Sequence, residues 1–167
     1  MKVFRMFGMF IMVTFLCVNL SSCSDDDDEK ENGGNGGGIV SGSLEGTWGL
    51  TNDQGWEIYN GEKEEWNDSY DPKNPSDEDV KMVITKTGDK TYNIKWYGFY
   101  DGEWRYEEGD DGKITVDGNV MTVTYADGDE IEESKNTFSL SNNQLVIIER
   151  EEFENGSFYD KMTYIRM

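Results

Sequence analysis

The sequence predicts an all-β domain of eight to ten short antiparallel strands, arranged as a barrel or a sandwich. Three observations support this. Five dipeptides, Asn60-Gly61, Asp101-Gly102, Asp117-Gly118, Asp127-Gly128 and Asn155-Gly156, suit two-residue hairpin turns, which need residues that tolerate positive φ. Between them lie short runs rich in Val, Ile, Thr, Tyr and Trp with apolar and polar side chains alternating. No stretch carries a helical period, and no repeat of 20–50 residues is present.

Taken in order, the first strands fall at 46–51 and 55–59. Residues 60–79 read as one long irregular connection, with Trp66, Tyr70, Pro72 and Pro75 among acids. Strands then fall at 80–86, 91–100, 103–108, 113–117 and 120–125. Gly88-Asp89, Asp111-Gly112 and Asn142-Asn143 supply three looser turn signals. The last strands fall at 130–132, 137–140, 144–151 and 157–166. Tyr92, Ile94 and Trp96 share one face, and so do Trp104 and Tyr106. Side chains alternate faces along a strand, so both sets are expected to point inward.

The N-terminus carries an address. Lys2 and Arg5 precede an apolar run over residues 6–18, broken only by Gly8 and Thr14. This is the layout of a secretory signal peptide, too short for a comfortable membrane span of about 20 residues. Leu20-Ser21-Ser22-Cys23 resembles the processing site of bacterial lipoproteins. The resemblance implies cleavage before Cys23 and diacylglycerol attachment to its thiol. Ser24-Asp25-Asp26-Asp27-Asp28-Glu29 resembles the acidic export signal of surface lipoproteins in Bacteroidota-type bacteria. That resemblance implies anchoring in the outer membrane facing the exterior, with the periplasmic face as the alternative. The expected organisation is a signal peptide over 1–22, a lipidated, acidic and glycine-rich tether over 23–43, and one folded domain over 44–167.

Composition excludes several chemistries. Without the signal, 13 basic side chains face 35 acidic ones, a formal charge of −22. Binding nucleic acid through its phosphates is not expected on that balance. Cys17 lies in the signal and Cys23 would be lipidated, so the folded domain has no thiol, and the chain has no histidine. Cysteine or histidine nucleophilic sites and His-based zinc sites are therefore excluded. Asp110-Asp111 and Asp127-Gly128-Asp129-Glu130 lack the spacing of a twelve-residue calcium loop and suit turns. No metal, cofactor or catalytic activity is expected.

Leu44-Glu45-Gly46-Thr47-Trp48-Gly49-Leu50 resembles the opening strand of lipocalin-like proteins, whose Gly-x-Trp motif begins an eight-stranded up-and-down barrel. Met162-Thr163-Tyr164-Ile165-Arg166 resembles the closing strand of the small lipocalin-like domains of Bacteroidota lipoproteins. The resemblance implies that Trp48 plugs one end of the barrel and that Arg166 packs over it. The second lipocalin loop motif and the disulfides of secreted lipocalins are absent. A β-sandwich is the alternative fold.

The expected function is non-catalytic binding of a small apolar or amphipathic molecule by a monomeric barrel. Trp56, Trp66, Trp96, Trp104 and Tyr106 are the candidate pocket residues. Tyr97, Phe99 and Tyr100, near the Asp101-Gly102 turn, are candidates for exposure. The alternative is a filled barrel acting as a structural, interaction or glycan-capturing module of a surface assembly.

Overall fold

The computed structural model describes residues 41–127 and 130–167. The expected signal peptide, the expected lipidation site at Cys23 and most of the expected tether lie outside the described residues. Ten strands follow in order: β1 (Gly46–Tyr59), β2 (Glu62–Ser69), β3 (Val80–Lys86), β4 (Thr91–Tyr100) and β5 (Glu103–Tyr106), then β6 (Gly112–Asp117), β7 (Val120–Asp127), β8 (Glu130–Ser141), β9 (Gln144–Phe153) and β10 (Gly156–Arg166).

Every pairing is antiparallel. Eight strands pair in the cyclic order β1-β3-β4-β6-β7-β8-β9-β10, and β10 returns to β1. The sheet therefore closes on itself, and the sandwich alternative gives way to a barrel. Closure leaves no free edge around the ring. β2 and β5 stand outside the ring as extensions: β2 pairs the outer half of β1, and β5 the outer half of β4.

The extra strands follow from tight turns. Asn60 and Gly61 both have positive φ, as do Asp101 and Gly102. These are the backbone values of a type I′ hairpin, so each strand folds straight back on its neighbour.

Three segments differ from the sequence reading. Residues 46–59 form one strand, not two, with a bulge at Thr51 between the pairs Leu50–Tyr164 and Asn52–Thr163. Asn52, Asp53 and Gln54 have weak strand propensity, but here they are paired on both sides, by β10 and β2. The expected irregular connection over 60–79 contains β2, an acidic strand held by the same pairing. Residues 130–141 form one strand where two were expected, because β7 and β9 flank it.

The core fills the end of the barrel that holds the chain's first described turn and its C-terminus, here called the base. Trp48, Leu50, Met82, Ile114, Leu145 and Tyr164 are buried there with almost no exposed surface. The opposite end, here called the rim, carries the β1–β2, β4–β5 and β9–β10 hairpins. Its inner face is far more polar.

Candidate functional site

The base is sealed by two residues. The Trp48 indole N–H donates to the Leu44 carbonyl at 2.9 Å. The Arg166 guanidinium lies over the same indole, 4.3 Å from the ring centroid. Its Nη1 donates to the Glu45 carbonyl at 2.7 Å and its Nη2 to the Ser43 carbonyl at 2.5 Å. The β1–β10 register sets Trp48 opposite Arg166, which brings the two residues together. Gly46 has a φ of +149°, and a Cβ there would strike the guanidinium. Among the described residues, the side chains at this end pack closely around the fully buried indole.

The rim half is built differently. The extra residue at Thr51 reverses the faces of β1 beyond it. Before the bulge, Trp48 and Leu50 face inward; after it, Asp53 and Gly55 do, opposite Met162 and Asp160. Trp66 of β2 pairs with Gly55. A Cβ at Gly55 would strike the Trp66 ring and the Tyr159 carbonyl, so the glycine lets the indole lie on the strand. The Trp66 N–H donates to Asp53 Oδ1 at 2.8 Å, and its ring leans on Phe158 at 5.8 Å.

Across from Gly55, a group of buried polar side chains begins at Asp160 on β10. Asp160 is 4% exposed and shares a hydrogen bond with Asp53. Burial, then that hydrogen bond and the Asp53 charge, push its carboxyl up to about 8. Glu149 pairs with Asp160 across β9 and β10. Burial raises its carboxyl too, opposed by the Ser134 hydroxyl, which donates to Oε1 at 2.7 Å. Asn136 donates in turn to the Ser134 oxygen at 3.1 Å. Tyr164, wholly buried, has its hydroxyl raised by burial and by Asp160.

On the facing wall, burial pushes the ionisation of the Tyr125 hydroxyl up to about 12, opposed by the neighbouring Trp96 side chain. Tyr70, from the β2–β3 connection, is raised to about 12 by burial, then by Asp53. These groups are rich in acceptors and lack a strong nucleophile. Among the described residues, no group of three carboxylates or other metal-ligating side chains could hold a metal ion.

The wall parts near Tyr125. β4 pairs with β6 only over Thr91–Ile94; β5 then takes the same edge from Tyr97 to Tyr100. A groove of about 350 Å³ opens at this handover. Ile94, Gly112 and Tyr125 form its inner wall, with Lys95 and Lys113 on the outer lip and Ile131 beside them. Ile131 is 76% exposed, the most exposed large apolar side chain among the described residues. The absent side chain of Gly112 lets the Tyr125 ring lie flat here, since a Cβ would come within 2.9 Å of it.

The structure divides the five expected pocket residues. Trp66 and Trp96 face inward. Trp56 faces outward and stacks on Tyr159, with ring centroids 6.1 Å apart and Lys63 over its ring. Trp104 and Tyr106 also face outward, which corrects the expectation that they point in. Their β4 partners are Phe99 and Tyr97, which alternate with the buried Trp96. Trp104 meets Phe99 edge-on at 5.2 Å, and Lys81 covers it at 4.5 Å. Tyr106 meets Tyr97 at 5.7 Å, and Lys95 covers it at 4.8 Å. Phe99 thus gains cover that the sequence did not foretell.

Sequence reasoning missed Asp53, Asp160, Glu149, Asn136 and Tyr125. A signal was present for two of them. Asp160 continues the inward alternation of Tyr164 and Met162, and Glu149 continues that of Leu145 and Ile147. A carboxylate in phase with a buried apolar stripe marks a polar patch inside a fold.

No curated protein matches the chain. A family model for the lipocalin-like domain matches residues 44–147, from the turn before β1 into β9. That span covers well over half of the sequence and includes Trp48, the bulge and Tyr125. With the closed eight-stranded ring, it establishes that the chain belongs to the lipocalin-like domain family.

Proposed function

We propose that this chain is a lipid-anchored surface lipoprotein whose barrel binds one small apolar or amphipathic molecule without chemically transforming it. A lipocalin-like barrel suits ligand binding in general. One observation carries the narrower reading. The barrel wall opens into a groove of about 350 Å³ backed by Ile94 and Tyr125, next to the inward-facing Trp96. This volume lies at the lower end of the range of small-molecule pockets, about 300–1,000 Å³. The anchoring rests on the resemblance around Cys23 and on the acidic stretch after it. Two or more acyl chains would hold the protein stably to the outer membrane.

Native mass spectrometry of the chain, after incubation with a lipid and glycan extract of its host, tests the binding. A bound mass at one-to-one stoichiometry is expected. A bare protein mass, under conditions where a known lipocalin keeps its ligand, would reject the reading. Protease shaving of intact cells tests the address: a surface protein is cut and a periplasmic one is spared.

A second reading is favoured by the outer-face aromatics. Trp56 with Tyr159, and Trp104 with Phe99, would serve a filled barrel that captures glycans or partners through its outer wall. Lys63 and Lys81 already sit over these rings, which leaves less of each face to offer.

A further inference from the structure

The inner face of the rim half is acidic. Strand alternation directs Asp53 and Glu57 of β1, Glu132 of β8, Glu149 and Glu151 of β9, and Asp160 of β10 inward. The basic residues of the same strands alternate outward: Lys135 of β8, Arg150 of β9 and Lys161 of β10. Arg150 lies over the outer Tyr159 ring at 5.1 Å. No inward position of β7 to β10 in this half holds a lysine or arginine among the described residues. Nothing basic on these strands balances the buried carboxyls.

Independently of charge, two acceptors here lack partners. Asp160 Oδ1 and Asn136 Oδ1 are buried and accept no hydrogen bond. Asn136 is only 7% exposed, and its amide nitrogen is committed to Ser134, which is committed to Glu149. That chain of bonds fixes the amide and leaves its carbonyl over. A buried acceptor without a donor is unfavourable, and native folds rarely keep one without reason.

We propose that the ligand of this barrel is an amine. This rests on the reading above that the barrel binds a ligand, and it places the amine at the Asp160 patch, whose residues do not line the groove beside Tyr125. A primary ammonium has three N–H donors and no acceptor. It matches Asp160 Oδ1, Asn136 Oδ1 and the Glu149 carboxylate in number, and it offsets the acidic charge. Charge-assisted hydrogen bonds of this kind are the strong ones. Glu149 is the direct cross-strand partner of Asp160, and Asn136 joins it through Ser134, so the three acceptors belong to one patch. The apolar part of the molecule would lie against Trp66, whose pairing partner Gly55 is itself paired with Asp160.

The test is calorimetric titration of the full chain with octylamine, octanol and octanoate, which share one apolar body. Octylamine is expected to bind at least about tenfold more tightly than the other two, since bonds to charged groups exceed neutral ones by about that factor. Asn136→Leu and Glu149→Gln should each weaken octylamine about tenfold and leave octanol unchanged, with near-ultraviolet circular dichroism confirming the fold. Octanol or octanoate binding as tightly as octylamine would overturn the amine and leave the ligand-binding reading standing. If all three fail, the ligand recovered from host extract decides: an amine supports the proposal, and an amine-free ligand overturns it. No recovered ligand at all would overturn both readings.

Discussion

The Arg166 guanidinium lies 4.3 Å from the centroid of the Trp48 indole, joining the last strand to the first across the seam where the barrel closes. Cation–π contact contributes about 0.5–2 kcal/mol, and two hydrogen bonds to the Ser43 and Glu45 carbonyls add to it. Arg166→Ala is therefore expected to cost about 2 kcal/mol in urea denaturation. Arg166→Lys should recover little of that, because one ammonium cannot reach both carbonyls while stacking. Trp48→Ala leaves a large cavity and should cost about 3–5 kcal/mol. A loss below about 0.5 kcal/mol for Arg166→Ala would show that the seam does not depend on it.

The Thr51 bulge decides which side chains of β1 face the interior. Deleting Thr51 would make Leu50 and Asn52 adjacent and leave them opposite Tyr164 and Thr163, so Asp53 and Gly55 keep facing inward. A loss of about 1–2 kcal/mol is expected, from the Thr51 hydroxyl bond to Thr163 and the Tyr70 amide bond to the Thr51 carbonyl. Thr51→Ala removes only the hydroxyl bond to the Thr163 carbonyl, at 2.9 Å, and should cost about 1 kcal/mol. A loss above about 4 kcal/mol on deletion would contradict this account, because it would mean that the faces beyond residue 51 had turned over.

Stability should fall as pH rises through neutrality. Burial and Asp53 hold the Asp160 carboxyl at about 8, against 3.8 in the unfolded chain. Between those values the native state keeps a proton that the unfolded chain has released, so rising pH favours unfolding. Glu149 and Asp110 are raised in the same direction. Asp160→Asn should raise Tm at pH 8 by roughly 3–5 °C and change it little at pH 4. Melting curves at the two pH values check this. A lower Tm at pH 8 would mean that the ionised carboxylate stabilises the barrel.

The inner and outer tryptophans should respond differently to truncation. Trp66→Ala removes the cover over Gly55 and the bond to Asp53, with an expected cost of about 3 kcal/mol. Trp104→Ala strips a ring that lies on the outer wall and should cost about 1 kcal/mol. Chemical denaturation of both variants tests the assignment of faces. The reverse ranking would place Trp104 inside.

Much of the barrel was legible in the sequence. The Asn60-Gly61 and Asp101-Gly102 turns, the alternation of Tyr92, Ile94 and Trp96, and the Gly46-Thr47-Trp48 opening each point to their observed places. The site was far less legible, for two physical reasons. Alternation says which residues share a face, and register says which face is the core. Trp104 and Tyr106 do share a face, but pairing with Phe99 and Tyr97 makes it the outer one. A single bulge also inverts everything beyond it, which is how Trp56 left the interior and Asp53 entered it. The Asp53–Asp160 contact joins strands more than 100 residues apart and depends on that bulge, so no local window could reveal it.

The five tryptophans allow the central claim, a ligand held inside the rim half of the barrel, to be tested in one spectrum. Indole N–H cross-peaks would be followed by ¹H–¹⁵N correlation NMR as octylamine is added to the labelled chain. The account predicts that the Trp66 and Trp96 signals move together and saturate, while Trp48 at the sealed base and Trp56 and Trp104 on the outer wall stay in place. Movement of Trp56 and Trp104 with Trp66 and Trp96 unmoved would contradict it, and would move binding to the outer face.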